Sequence, residues 1–337
     1  MIRRLSLVLA LVLLAGACSS GSDDPGPSST TTTTLAVPAT TTTTVAPVTT
    51  TTMLAPLPAA PTSGEVRALV TPTGVVVPVY GGAAGGWQVG TPCGRRAVVA
   101  AGTPLHGATV VLDPGHGGIE TGATGPNGLV ERDLNLAVAK LVQADLQAQG
   151  ATVVLTRTAD YRVTLDERAA IAQRLKPPVF VSIHHNGGDD GPSDKPGTET
   201  YYQHASLTSK RLAGLLYEEV YAAFAGRPGV TWHANVDAGA KYRLNDRGGD
   251  YYGILRSTAG VTAAISEGLF LSASPSEAEL LARPDVQADE AAAIARAVRR
   301  YLTTGDPGSG FVQPIPRRTP AGGGGGAAGC VDPPLTR

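Results

Sequence analysis

The chain has 337 residues, 28 acidic against 27 Lys and Arg side chains, a net charge of −1, and 42 glycines. That length suits one sizeable domain with attached segments. The charge balance argues against a polyanion binder, which needs a basic surface, and the sequence carries no nucleic-acid motif, so no nucleic-acid partner is expected.

Residues 1–17 open with a basic pair, Arg3 and Arg4, followed by an apolar run over 5–15 too short to span a bilayer comfortably. The small residues Ala15, Gly16 and Ala17 then lead into Cys18. This is the pattern of a secretory leader. The stretch LLAGAC resembles a bacterial lipobox, with cleavage before Cys18 and a lipid on its thiol; plain secretion is the alternative. The lipidated form is expected on the outer face of the cytoplasmic membrane, in the cell envelope, with the membrane as a partner through Cys18.

Residues 18–63 read as a disordered linker. Threonine runs at 30–34, 40–44 and 49–52 alternate with Pro and Ala, and no charged residue falls between Asp24 and Glu65. Such a composition buries too little apolar surface to offset the entropy of ordering. Fully extended, at about 3.1 Å per residue, the segment would reach roughly 140 Å, and as a coil roughly 40 Å. Either reach suits a tether.

Residues 64–104 hold short β-type runs at 66–70, 74–79, 87–89 and 96–100, punctuated by Gly and Pro, and are expected to form a small N-terminal β appendage. Structural packing is favoured over polymer binding for it, because only Tyr80 and Trp87 offer flat aromatic surface. Three cysteines occur. With Cys18 assigned to the leader, Cys93 and Cys330 have only each other as intramolecular partners in a compartment that permits disulfides; two free thiols are the alternative.

From residue 105 to 304 strands and helices alternate. Strands are expected at 109–113, 152–157, 179–184 and 198–203, and helices at 131–149, 165–175 and 207–224. One helical and one strand segment are expected at 251–255 and 262–267, then a helix or helix pair over 276–301. Alternation of this kind implies an α/β fold with a twisted, mostly parallel central sheet flanked by helices. The tail, 305–337, is rich in Gly and Pro, with Gly322–326 unbroken, and is expected to be irregular apart from Cys330.

Four residues in this region carry chemistry: His116 in DPGHGG, Glu131 in ERDLNL, His184 in SIHHN and Glu267 in ISEG. Two imidazoles and a carboxylate form a three-ligand zinc set with a fourth position open for water, and the second glutamate is a candidate base. His116, His184 and Glu267 each follow or end a strand, the address at which such sheets collect ligands. Singly, each has an ordinary reading: a hydrogen-bonded histidine, a glutamate complementing a helix N-terminus, a tight glycine turn.

The segments VVLDPGHGGIETGATGPNGLVERDLNLAVA, TVVLTRTADYRVTLDERAAIA, FVSIHHN and GVTAAISEGLFLS resemble, in order, the successive motifs of the zinc-dependent N-acetylmuramoyl-L-alanine amidase family of the amidase-3 type, over about residues 108–302. The resemblance implies one Zn2+ held by His116, Glu131 and His184, with Glu267 as the catalytic residue. It also implies peptidoglycan as substrate, cut between N-acetylmuramic acid and the L-alanine of its stem peptide. A zinc carboxypeptidase acting on stem peptides and a catalytically silent wall-binding lipoprotein are the alternatives. Asp113 and Asn186 are placed to orient the imidazoles. Arg247, in NDRGG, matches a family arginine-glycine and is a candidate for the stem peptide's carboxylates.

The chain departs from the family at His185, where a small residue is common. Neighbours on a strand face opposite ways, so His184 is assigned as ligand and His185 as pocket wall or spectator. No long helical insertion lies between Tyr202 and Ile265, so an open groove is expected. A monomer is expected.

Overall fold

A computed structural model describes residues 54–188, 191–193, 197–228, 230, 232–313 and 325–337. The leader, Cys18 and most of the linker lie outside the described residues, so the lipidation expectation is not addressed by the structure. Among the described residues no helix is long and apolar enough to cross a membrane.

The core is a six-stranded sheet made of β6 (Val110–Pro114), β7 (Val153–Leu155), β8 (Val179–Asn186), β9 (Glu199–Tyr202), β10 (Ala240–Lys241) and β11 (Ala263–Phe270), in the order β10-β9-β11-β8-β6-β7. Every neighbouring pair is parallel except β9 with β11. Helices α1 (Glu131–Ala148), α3 (Leu207–Phe224) and α6 (Pro284–Thr303) cover one face, and α2 (Leu165–Leu175) and α4 (Gly253–Ser257) the other. The two-residue period of each strand decides which side chain goes where. Val179, Val181 and Ile183 join the α1/α3/α6 core, whereas Phe180 joins the α2/α4 core. Ala264 and Ile265 divide between the same two cores.

Helix ends follow local chemistry. The hydroxyls of Thr164, Ser206 and Ser274 accept from the backbone N–H three residues on, capping α2, α3 and α5 (Pro275–Leu281). The Ala-rich stretch from 275 is a helix pair, because Pro284 starts a new helix instead of continuing α5.

The N-terminal strands β1 (Ala68–Val70), β2 (Val76–Ala83), β3 (Gly86–Gly90), β4 (Arg96–Val99) and β5 (Thr103–Leu105) form an antiparallel sheet, in the order β4-β3-β2-β1-β5. It is less detached than the word appendage implies. Ala68 and Val76 are buried in the same core as Val111, Ile171 and Phe180, while Leu69, Val77 and Val79 pack on the other side with Tyr161 and Val163.

Two further boundaries differ from expectation. Residues 54–63, assigned by composition to the linker, pack on the domain: Leu57 is 3 % exposed in the main core, its N–H donates to Gln149 O, and Ala60 N–H donates to Thr152 Oγ1. One leucine with a slot to fill outweighs a polar, proline-rich context. The tail, though without helix or strand among its described residues, is tied down. Cys93 and Cys330 are disulfide-bonded with Cα atoms 5.6 Å apart, and Asp332 accepts from Thr91 Oγ1 and the Cys93 N–H. Upstream, Ala240 and Phe311 form a bridge, with the Phe311 ring against Gly214.

Candidate metal centre and active site

Strand β6 ends in a loop whose carbonyls are held by two buried arginines. Arg168, from α2, donates to Pro114 O at 2.8 Å and His116 O at 2.6 Å; Arg157 donates to Pro114 O and Gly115 O, both at 2.9 Å. His116 takes a left-handed conformation (φ 61°), uncommon for a residue other than glycine, and the clamped carbonyls on either side hold it there. Gly115 is there because of close approach: a Cβ would lie 2.1 Å from His184 Cε1. Likewise a Cβ on Gly122 would lie 2.3 Å from Glu131 Oε2.

These constraints bring three donors together. Glu131, the first residue of α1, places Oε1 3.2 Å from His116 Nε2 and 2.9 Å from His184 Nδ1. One donor atom from each of the three residues lies within 4.8 Å of the others. The imidazoles meet edge to face, centroids 4.9 Å apart. Donors about 2.1 Å from a tetrahedral zinc ion lie about 3.4 Å from one another, so the spacing fits a metal. The electrostatics fit as well. Burial alone would raise the Glu131 carboxyl, but hydrogen bonds with His116 and His184 hold it well below its ordinary value. Burial also lowers the His184 imidazole, against the pull of Glu131. An ionised carboxylate and a neutral imidazole are the forms a metal binds.

Glu267 on β11 is in register with His184 on β8, and the strand period directs it to the α2/α4 face with Ala263 and Ile265. It is 9 % exposed, and its Oε2 has no hydrogen-bond partner among the described residues. Burial, and then the charges of Glu131 and Glu199, push its carboxyl well above the ordinary range. Leu165, Tyr252 and Ile254 line the cleft beside it, and Gly325 of the C-terminal segment lines the adjoining pocket by His116.

Two expected roles, those of Asp113 and Asn186, need correction. Asp113 touches neither imidazole. It accepts from Arg168 Nη1 at 2.6 Å, Thr156 Oγ1 at 2.5 Å and Ser182 Oγ at 2.7 Å, so it anchors the arginine that clamps the His116 loop. Burial works against its charge, but Arg168 and these hydroxyls keep the carboxyl below its usual value. Asn186 also misses the imidazoles; its Nδ2 donates to Glu199 Oε2 at 2.8 Å. Arg247 sits exposed in a tight turn, its N–H on Asn245 Oδ1, and is not among the residues lining the cleft. As for His185, it is a wall residue of the cleft and not a spectator: it is 1 % exposed, and its ring pairs with Glu290 on α6.

Sequence reasoning missed the polar group beneath Glu267. Glu199 lies opposite it on β9, and its Oε1 accepts from the fully buried Lys241 at 2.6 Å. Lys241 also contacts Asp237 at 3.0 Å, as does Arg243 at 3.1 Å. The spacing of Asp237 and Lys241 was the visible hint, but nothing in VDAGAKY marks the lysine as buried.

The N-acetylmuramoyl-L-alanine amidase family (amidase-3) matches residues 110–300. An uncharacterized protein of Bacillus subtilis strain 168, YqiI, is 34% identical over 221 residues, covering 64% of this chain and 97% of the relative. The N-acetylmuramoyl-L-alanine amidase LytC of the same strain is 40% identical over 126 residues, 37% of this chain but only 25% of LytC's length. The crystal structure of an N-acetylmuramoyl-L-alanine amidase from Clostridium difficile 630 superposes with a TM-score of 0.50 at 30% identity, covering 59% of this chain and 99% of that one. With the family match spanning more than half its length, the chain belongs to the N-acetylmuramoyl-L-alanine amidase family.

Proposed function

We propose that the protein is a peptidoglycan hydrolase that cleaves the amide between N-acetylmuramic acid and the L-alanine of the stem peptide, using one zinc ion held by His116, Glu131 and His184. The observation that carries this reading is the meeting of those three donors beside a buried carboxylate, Glu267, whose Oε2 is unengaged among the described residues. A bound zinc would supply Lewis acidity, lowering the pKa of water and polarising the amide carbonyl.

The protein's own residues supply the rest. Glu267 takes a proton from the attacking water as the C–O bond forms, then delivers it to the nitrogen of L-alanine as the C–N bond breaks. Burial raises its proton affinity, which suits holding that proton between the two events, while a cation on the neighbouring donors would favour the ionised form that accepts it. The arginine clamp keeps His116 aimed, so the donors are set before substrate arrives. Tyr252 and Ile254 wall the cleft and limit water around the reacting bond. The setting we propose is the cell envelope, with the chain acting as a monomer tethered through a lipidated Cys18 and the Thr-rich linker.

The reading is tested on purified peptidoglycan with chelator-treated protein. Activity should vanish on chelation and return with one equivalent of zinc. Full activity in metal-stripped protein would overturn it.

A further inference from the structure

On the face of β8 opposite the cleft lies a buried polar chain that the reaction itself does not use. His185 Nδ1 is 2.8 Å from Asn135 Oδ1, and Asn135 Nδ2 is 3.3 Å from Glu131 Oε1, the oxygen that both ligand imidazoles face. At its other end His185 Nε2 is 3.0 Å from Glu290 Oε2, on α6. His185, Asn135 and Glu290 are at most 1 % exposed, and Glu290 Oε1 has no hydrogen-bond partner among the described residues. An imidazole–carboxylate pair so deep is expensive, and two apolar side chains of the same volume would fill the space as well or better. Its presence in this chain points to a role beyond packing.

The roles follow from counting protons. Asn135 must turn its NH2 toward Glu131, because the reversed amide would set one carbonyl-type oxygen against another. That orientation leaves Oδ1 facing His185, so His185 Nδ1 must carry a hydrogen. A second hydrogen must lie between Nε2 and Oε2, since otherwise a lone pair would face a carboxylate oxygen. Glu290 meets this need whether the hydrogen sits on the ring or on the carboxyl. A neutral ring protonated only at Nε2 would accept from Asn135 and turn the amide over. Asn135 also donates to Gly115 O, and the His185 backbone N–H donates to Glu131 Oε1, both at 3.3 Å, so the same residues brace the ligand carboxylate and the loop carrying His116.

We infer that His185 and Glu290 are positioning residues, which act through Asn135 to lock the Glu131 carboxylate in its metal-binding orientation. This rests on the metal reading given above. Outer partners of this kind alter metal affinity by about 10–100-fold.

The test is zinc affinity of the full chain, measured by competition with a chromophoric chelator, beside the thermal midpoint of the metal-free protein. H185L alone strands Glu290 and is expected to lower the midpoint. H185L/E290L removes the stranded carboxylate, leaving only Asn135 Oδ1 without its partner, and should recover most of the midpoint, yet bind zinc about 10–100-fold more weakly. N135A, which leaves the His185–Glu290 pair intact, should weaken zinc binding to a similar degree. E290Q, whose amide can still donate to Nε2 and so keep the hydrogen on Nδ1, should bind zinc as the wild type does. A stable H185L/E290L variant with wild-type zinc affinity would overturn the inference. A wild-type chain that takes up no zinc would overturn the metal reading, and the positioning role with it.

Discussion

Glu267 and His184 stand directly opposite one another on adjacent parallel strands, the candidate base beside the candidate ligand. Both point to the α2/α4 face, and both lie toward the carboxyl ends of their strands. The pairing divides labour between them, since His184 is drawn to Glu131 while Glu267 Oε2 stays unengaged among the described residues.

That division predicts the behaviour of Glu267→Gln. The amide keeps the shape but cannot take a proton. Zinc content and thermal midpoint should stay at wild-type values, while turnover on peptidoglycan falls by about 10²–10⁴-fold, the usual contribution of a general base. Metal analysis decides the role: a variant that loses its zinc would make Glu267 a ligand.

Gly115→Ala tests how tightly the site is packed. The added methyl would fall 2.1–2.6 Å from three ring atoms of His184, closer than any real contact, so the ring must move. Substoichiometric zinc after purification is the expected result, measured by atomic emission. Full occupancy with unchanged turnover would show that the loop yields freely.

The bond between Cys93 and Cys330 closes a loop of 237 residues around the catalytic domain. Removing a native disulfide from a secreted domain costs about 2–5 kcal/mol, and long loops lie toward the upper end in the chain-entropy model. Urea unfolding of C93S/C330S against wild type should show a loss in this range. An unchanged midpoint would mean that the hydrogen bonds of Asp332 hold the tail without the bond.

Glu167 gives the stability profile a pH dependence unrelated to catalysis. Burial, only partly offset by Arg96 3.6 Å away, pushes its carboxyl up to about 7. A carboxyl raised on folding binds its proton more tightly in the folded state, so its contribution to stability is full below pH 4.5 and is lost as pH rises from there to about 7. Glu167→Gln should match the wild type near pH 4.5 and exceed it above pH 7. Parallel unfolding midpoints for the two proteins across that window would refute the assignment.

Much of this was legible before the structure. Helices 165–175 and 207–224 have the bounds expected from their apolar spacing and flanking Thr164 and Ser206, because amphipathic period and capping are local properties. The same holds for the gathering of His116, Glu131 and His184, which follows from strand-end placement and family motifs. Partnerships across the fold were not legible. Asp113 sits three residues before His116, and proximity in sequence suggested contact, but its strand position turns it toward Arg168, 55 residues on. His185 and Glu290 are 105 residues apart, and Lys241 is buried only because Glu199 and Asp237 arrive from other elements. Leu57 shows the complementary failure: composition marked its segment as solvated, and a single apolar slot decided otherwise.

The most direct test is mass spectrometry of soluble products after the zinc-loaded full chain has digested purified peptidoglycan. Intact stem peptides beginning with a free L-alanine amine, together with unsubstituted glycan, are the expected result. Loss of a single amino acid from the carboxyl end of the stems, or unchanged muropeptides, would contradict the assignment.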